Sequence, residues 1–581
     1  MPREKHTGER KLLLAFDVGT TYSGISYSIL DPDHAPEVQG QEIAGGNAKI
    51  PSVLYYDKDG KVCCAGAETE RDGIDIFAEE GNWDKAEWFK LHLRPKTKEF
   101  ATGPAKIPDL PPNKTVLDVF SDYLKYLNDC ARQWIKETHP GIGTSIWDGP
   151  EIHYILSHPN GWEGPQQAVM KQAAERAGLI TPGGRNKVTF VTEGEASLNH
   201  CIEKGLMSES IRKGEGVCIV DAGGGTLDLS AYAANPDRKT FSEIAEAQCH
   251  LKGSIFVTEA AGEYLHKLLK GSKFARDIDE MKRSFDRSTK CSFRDPSDPH
   301  FIRGCGSPRD RDTKLKVMAG KLRLDGADVA TFFEPAIKCI IDGVKEQRRS
   351  AHKPISSVFL VGGFSANDFL FKRVKEALEA QGLKVFRPDT HLNKVVAEGS
   401  VSFILDHPVR SRVSRHSFGT EIWVNFQPHL KDHKKRIWQC TEIYSGELGI
   451  PGVFSVILPK NTQVKETEEF RCTYARGSPN PLYLRTMEKE IVCYRGNKHQ
   501  PKSKKHQFMD EDPNNYSDVC TVKANLANIP TPPCFGSKGL YYEIMIDIVL
   551  LFGETELKAQ IAWMEDGVEK RGDAEIIYDT E

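Results

Sequence analysis

The stretch KLLLAFDVGTTYSGISYS, residues 11–28, has a near copy further along the chain, GVCIVDAGGGTLDLSAY, residues 216–232. Each is an apolar strand that ends in an aspartate, Asp17 or Asp221, turns through Gly and Thr, and continues as a second alternating strand. No helical pattern follows either turn and no Gly-Lys-Ser/Thr is present, so neither is a P-loop. Glycine lets backbone N–H groups come close to a phosphate, and Thr hydroxyls donate to its oxygens. A carboxylate beside phosphate repels it unless a cation lies between. Mg²⁺, which prefers oxygen ligands and keeps several waters, is the natural bridge. The first turn alone is open to the plainer reading of a tight hairpin, and the second less so. Two copies with matched aspartates, one holding three successive glycines that weaken a sheet, point to a pair of hairpins that clamp a polyphosphate.

A third segment, SSVFLVGGFSANDFLFKRVKEALEAQG, reads as a strand, a Gly362-Gly363 turn and an amphipathic helix starting near Ser365 or Asn367. A glycine pair at the carboxyl end of a strand permits close approach of a flat ring or a ribose. Tight helix–strand packing explains the same pair when it is taken by itself.

The chain has 581 residues, more than one core supports, so several domains are expected. Short β-branched runs alternate with helical segments over residues 11–407, an α/β pattern. EIHYILSHP reads as a strand, and PQQAVMKQAAERAG as a helix with Pro165 in its first turn and Gly178 at its stop. From residue 408 to 581 the helices fade. LYYEIMIDIVLLFG alternates to place Tyr542, Ile544, Ile546, Ile548, Leu550 and Phe552 on one face, and an antiparallel β domain is expected there. NKHQPKSKKHQ, from Asn497, reads as a solvated basic loop rather than a nucleic-acid patch.

A net charge of -4 gives no reason to expect nucleic acid as a partner. The 14 cysteines show no CxxC spacing, and Cys63-Cys64 reads as strand packing. No stretch approaches the ~20 apolar residues of a membrane span. A reduced, cytoplasmic or nuclear location is expected.

DVGTTYSG, DAGGGTLD and VFLVGGF resemble the phosphate and adenosine motifs of the actin-like ATPase superfamily, and more closely those of the 70-kilodalton heat shock protein family. IPSVLYYDKDGKVCCAG is similar to that family's segment after the first motif, TEGEASLNH falls at its connecting motif, and VILPKNTQV resembles a signature of its peptide-binding sandwich. The resemblance covers about residues 12 to 405. It implies an α/β actin-like ATPase domain, two duplicated lobes around a nucleotide cleft, followed by a C-terminal antiparallel β domain. It further implies ATP or ADP with Mg²⁺ as cofactors and an unfolded or extended polypeptide as partner.

By the same resemblance Asp17 and Asp221 would organise Mg²⁺ through water. Gly19, Thr20, Thr21 and Tyr22, with Gly223, Gly224, Gly225 and Thr226, would cradle the phosphates. Gly362, Gly363 and Phe364 would line the nucleoside, and Lys290 would pack on adenine. Glu193 would arrange the metal shell and the attacking water, with Glu195 as the alternative. Lys90 in EWFKLHL would be the catalytic lysine, with Lys85 in reserve.

Three departures stand out. The family's apolar linker is replaced by ILDHPVRSRVSRHS, in which Pro408, Arg410 and Arg412 argue against an apolar docking strand. Gly194 stands where the connecting motif has proline. The sequence closes on a strand-like stretch, so a lid-less, divergent branch is implied. The expected function is a slowly hydrolysing, chaperone-like ATP-binding protein. A nucleotide-sensing scaffold with little hydrolysis and a sugar or acyl kinase of the same fold are the alternatives.

Overall fold

The computed structural model describes residues 3–40, 49–95, 107–141, 145–148, 152–162, 164–182, 187–237, 239–388, 394–465, 468–496, 506–551, 558–565, 567–572 and 577–578. The chain divides into two compact units, Met1–Trp162 with Val169–Val409, and Glu163–Ala168 with Arg410–Glu581.

In the first unit both copies of the repeat are antiparallel hairpins. Lys11–Asp17 pairs with Tyr22–Leu30, and Gly216–Ala222 pairs with Leu227–Ala234, which sets Asp221 opposite Asp228. The duplication extends beyond the hairpins. The first strand of each takes a parallel neighbour, Ile152–His158 or Ile355–Val361. That neighbour takes another, Lys187–Thr192 or Lys384–Phe386. On the opposite side Gln39–Gly40 or Phe241–His250 runs antiparallel to the return strand. Two sheets of like strand order result, a mixed α/β architecture consistent with the expected actin-like fold.

Strand periodicity of two divides each central strand between two cores. Leu12, Leu14 and Phe16 pack with Phe120, Tyr123 and Leu156 in one. Cys218, Val220 and Ala222 pack with Leu229, Ile340 and Leu360 in another. The alternate residues Leu13 and Ala15, with Val217 and Ile219, meet in a shared layer that also holds Ala196, Leu198, Val396 and Val401. Those last four belong to helices Glu193–Glu203 and Val395–Asp406, each of which follows the last parallel strand of its sheet. The helices cross in backbone contact, since a Cβ on Gly399 would sit 1.9 Å from Ala196 O.

Local signals act as the sequence implies. Pro165 lies in the first turn of helix Gly164–Arg176, and Gly178 takes φ 76° just beyond its end. Asn367 caps helix Asp368–Glu379 by accepting from Leu370 N at 2.9 Å. Cys63 and Cys64 lie half-buried on strand Val62–Ala65 as free thiols.

The second unit consists mainly of antiparallel strands. Thr441–Glu442, Leu448–Leu458, Ser417–Asn425, Thr486–Tyr494, Tyr516–Asn525 and Ile577–Tyr578 form one sheet in that order. Glu469–Ser478, Gly539–Leu551, Lys558–Glu565 and Val568–Arg571 form another, with Pro533–Gly536 beside Gly539–Leu551. Ile544, Ile546, Ile548 and Leu550 are buried and meet Phe418, Ile491 and Val522 of the first sheet in one core. Tyr542 is half-buried at its edge, and Phe552 lies outside the described residues, as does most of the basic loop from Asn497.

The arginine-bearing stretch after Pro408 is extended. Val409–Val413 is a strand, with Ser411, Arg412 and Val413 opposite Lys465, Val464 and Gln463. Alternation explains it: Val409, Ser411 and Val413 are buried while Arg410 is exposed. Among the described residues no helix is long and apolar enough to cross a membrane.

Candidate functional site

The two hairpin turns face each other at the top of their sheets. A Cβ on Gly224 would lie 2.5 Å from Thr21 Oγ1, and one on Gly225 would lie 2.4 Å from Thr20 Oγ1. Any side chain there would fill the gap, so glycine is a condition of the two turns meeting. The second turn is also backed from outside. Gly253 N, Ser254 N and Ile255 N, at the start of helix Ser254–Leu268, donate to the carbonyls of Gly225, Gly223 and Gly224 at 3.2, 3.1 and 3.0 Å. The turn's carbonyls are thereby held away from the gap.

Asp17, Gly19, Thr20, Thr21, Tyr22, Lys90, Glu193, Asp221, Gly223, Gly224, Gly225, Thr226, Gly362 and Gly363 line one cleft, together with Ser23, Lys49 and Val396. Gly362, with φ 82°, lies against the second aspartate: a Cβ would stand 2.2 Å from Asp221 Oδ1.

Charge in this cleft is concentrated and unequal. Lys90 Nζ donates to Glu193 Oε1 at 2.6 Å, with both side chains almost fully buried. Burial alone would lower the Lys90 ammonium, but Glu193 and Asp17 beside it hold its pKa above the ordinary value. Burial, with Glu193 adding and Lys90 opposing, raises the Asp17 carboxyl to about 6. Burial, Glu193, Asp228 and Asp17 push Asp221 well above the carboxylate range. Asp228, buried and beside Glu193, is raised to about 7. Ser157 Oγ donates to Asp17 at 2.7 Å and Ser197 Oγ to Asp221 at 3.1 Å, so both aspartates are fixed in orientation without being neutralised.

The helix that begins at Glu193 separates the two glutamate candidates. Thr192 and Glu195 form a reciprocal capping box at its N-terminus, so Glu195 is committed to the helix end. Glu193 is the one that lines the cleft. Gly194 lies over Ser230, where a Cβ would be 2.3 Å from Oγ, so the chain has a small residue in the proline's place because a side chain is packed beneath it.

Three sequence candidates are not among the residues lining this cleft. Phe364 is 5 % exposed and belongs to the core, its ring 6.1 Å from that of Phe333. Lys290 is not among the cleft-lining residues, being tied to Asp286, Thr258 Oγ1 and Ser254 O. Lys85 pairs with Glu87 at 2.6 Å on strand Asp84–Glu87. Sequence reasoning missed Lys49, Ser23 and Val396 in the lining, and Ser157, Ser197 and Asp228 behind it. Asp228 had a signal, since it is the second aspartate of DAGGGTLD. The serines had none, because only the fold brings them to the carboxylates.

No protein-family model matches the chain. It is similar to Heat shock 70 kDa protein 12B of Homo sapiens, 21% identical over 557 residues that take in 81% of this chain and 79% of that protein. It is likewise similar to Heat shock 70 kDa protein 12A of Homo sapiens, 22% identical over 557 residues, and to the Mus musculus protein of that name, 21% identical. With its repeated hairpins meeting at one cleft, the chain is similar over most of its length to these heat shock 70 kDa proteins, at the identity of a divergent relative.

Proposed function

We propose that the chain binds ATP and ADP in the cleft between its two hairpins and hydrolyses ATP slowly. The observation that carries this reading is the contact of Thr20 and Thr21 with Gly225 and Gly224 between two aspartate-bearing turns. In this reading Gly19, Thr20, Thr21 and Tyr22 with Gly223, Gly224, Gly225 and Thr226 hold the phosphates, and Gly362 and Gly363 leave room for the nucleoside.

The donor set suits Mg²⁺. Asp17 and Asp221 are carboxylates whose protons are held first by burial and then by the acids beside them, a load that a divalent cation relieves. Among the described residues no three acidic, His or Cys side chains form a cage, and Mg²⁺ is bound by one or two carboxylates plus water and phosphate. Asp17 and Asp221 would hold it. When bound, Mg²⁺ neutralises phosphate charge.

Hydrolysis asks little of the protein beyond positioning and electrostatics. Lys90 fixes Glu193 by a 2.6 Å ion pair, and Glu193 accepts and orients a water in line with the terminal phosphate. Thr226 and the turn amides donate to phosphate oxygens where charge develops.

The β-rich unit is read as binding extended polypeptide. Trp423, Trp438, Tyr444, Phe535 and Leu540 are 52%, 77%, 44%, 83% and 46% exposed. A nucleotide-sensing scaffold with little turnover is the second reading, favoured by Gly194 in the connecting motif. A sugar or acyl kinase fits less well, because it leaves the β-rich unit without a role. Cytoplasm or nucleus is the proposed location.

The test is a calorimetric melt with and without saturating nucleotide, each with Mg²⁺ and with chelator, alongside phosphate release from labelled ATP. A ligand at a hundred times its Kd adds ~2.7 kcal/mol. No shift with MgATP or MgADP sinks the nucleotide reading. A shift without phosphate release selects the scaffold.

A further inference from the structure

One cation in the cleft has no counterpart among the motif residues. Lys49 lines it beside Gly19, Thr20, Thr21 and Tyr22. Its backbone is stitched to that turn: Ile50 and Pro51 pair with Ser23 and Tyr22, Ser52 N donates to Thr21 O at 2.9 Å, and Ser23 Oγ meets Ser52 Oγ at 2.8 Å. The ammonium stands 5.0 Å from the centre of the Tyr22 ring. Among the described residues it has no ion-pair partner, whereas Lys90 is paired with Glu193 and Lys290 with Asp286. Burial lowers its pKa, Cys291 raises it, and Lys290 lowers it further. A half-buried ammonium with no counter-ion among the described residues, anchored by backbone to the Thr20–Tyr22 turn, is poised for an anionic ligand.

We propose that Lys49 is a nucleotide-binding residue whose ammonium neutralises phosphate oxygens of the nucleotide held at the Thr20–Tyr22 turn, which adds to the site's selection for a polyphosphate. This rests on the nucleotide reading above. A charge-assisted contact of this type changes affinity by roughly tenfold to a hundredfold.

The test is titration calorimetry of the full chain with MgADP for wild type, Lys49→Ala and Lys49→Arg, with a melt of each protein in the absence of nucleotide. Lys49→Ala should weaken MgADP at least tenfold, Lys49→Arg should recover most of that loss, and all three should melt together. Equal affinity in wild type and Lys49→Ala overturns the assignment. So does a loss in Lys49→Ala that Lys49→Arg does not restore, or one that tracks a lowered melting temperature in both variants. Absence of MgADP binding by wild type is a different result: it overturns the nucleotide reading itself.

Discussion

Lys90 donates to Glu193 at 2.6 Å across 103 residues of chain, and both are buried beside Asp17. The pair joins the 3-10 turn Phe89–Leu93 to the first residue of helix Glu193–Glu203. Removing one partner leaves the other charge buried and unpaired, which costs roughly 3–5 kcal/mol at such sites. Conservative changes are therefore the informative ones.

Glu193→Gln keeps the shape and a hydrogen-bonding oxygen toward Lys90 while removing the carboxylate charge. MgATP affinity should stay within about threefold and phosphate release should fall by on the order of 10²- to 10³-fold. Single-turnover assays beside equilibrium binding separate the two effects. If wild type hydrolyses ATP and Glu193→Gln keeps pace with it, the water-positioning role of Glu193 is wrong.

Gly362→Ala probes the close approach to Asp221. Alanine is strained at φ 82°, and its Cβ would meet Asp221 Oδ1 at 2.2 Å, so the turn must shift. A loss of roughly 1–3 kcal/mol of stability is expected, with MgADP affinity falling more than the stability change explains. Urea unfolding and calorimetry on one preparation give both numbers. An unchanged MgADP affinity would separate this turn from the ligand.

The raised Asp17 carboxyl makes a pH prediction. Its folded value is about 6, raised by burial first and Glu193 second, against roughly 3.9 in an unfolded chain. Between those values the folded state holds the extra proton, so stability falls as pH rises through that window and levels off above it. Asp17→Asn carries no such proton. Relative to that variant, nucleotide-free wild type should lose on the order of 2 kcal/mol between about pH 4 and about pH 7.5. Denaturant unfolding over that range checks it, and parallel curves for the two proteins contradict it.

Communication between nucleotide and polypeptide should be weak. The stretch after Pro408 is an arginine-bearing strand rather than a run of leucines, and Arg410 faces solvent. A coupling is a differential binding energy between two states. Peptide affinity of the full chain should change less than about fivefold, or ~1 kcal/mol, between ATP and ADP. Fluorescence anisotropy of an unfolded-type peptide in each nucleotide state measures this. A hundredfold difference would falsify weak coupling.

The two Asp-Gly-Thr hairpins, the Gly362-Gly363 turn and the helix capped by Asn367 were legible in the chain because turn chemistry and strand periodicity are local. So was the alternation of Ile544 to Leu550, which buries one face of a strand whichever partner it meets. The distinction between Glu193 and Glu195 was not, because capping and cleft-lining are decided by where a helix begins in space. The packing of Phe364 on Phe333 and the ion pair of Lys290 with Asp286 were not legible either, since packing neighbours, not motif order, set where a side chain comes to rest. Asp228's signal lay inside a quoted motif, but its raised carboxyl came only from burial beside Glu193. Ser157, Ser197 and Lys49 gave no sequence signal at all. Their roles arise from sheet register and strand pairing, which bring distant residues to one cleft and depend on contacts that the linear order does not carry.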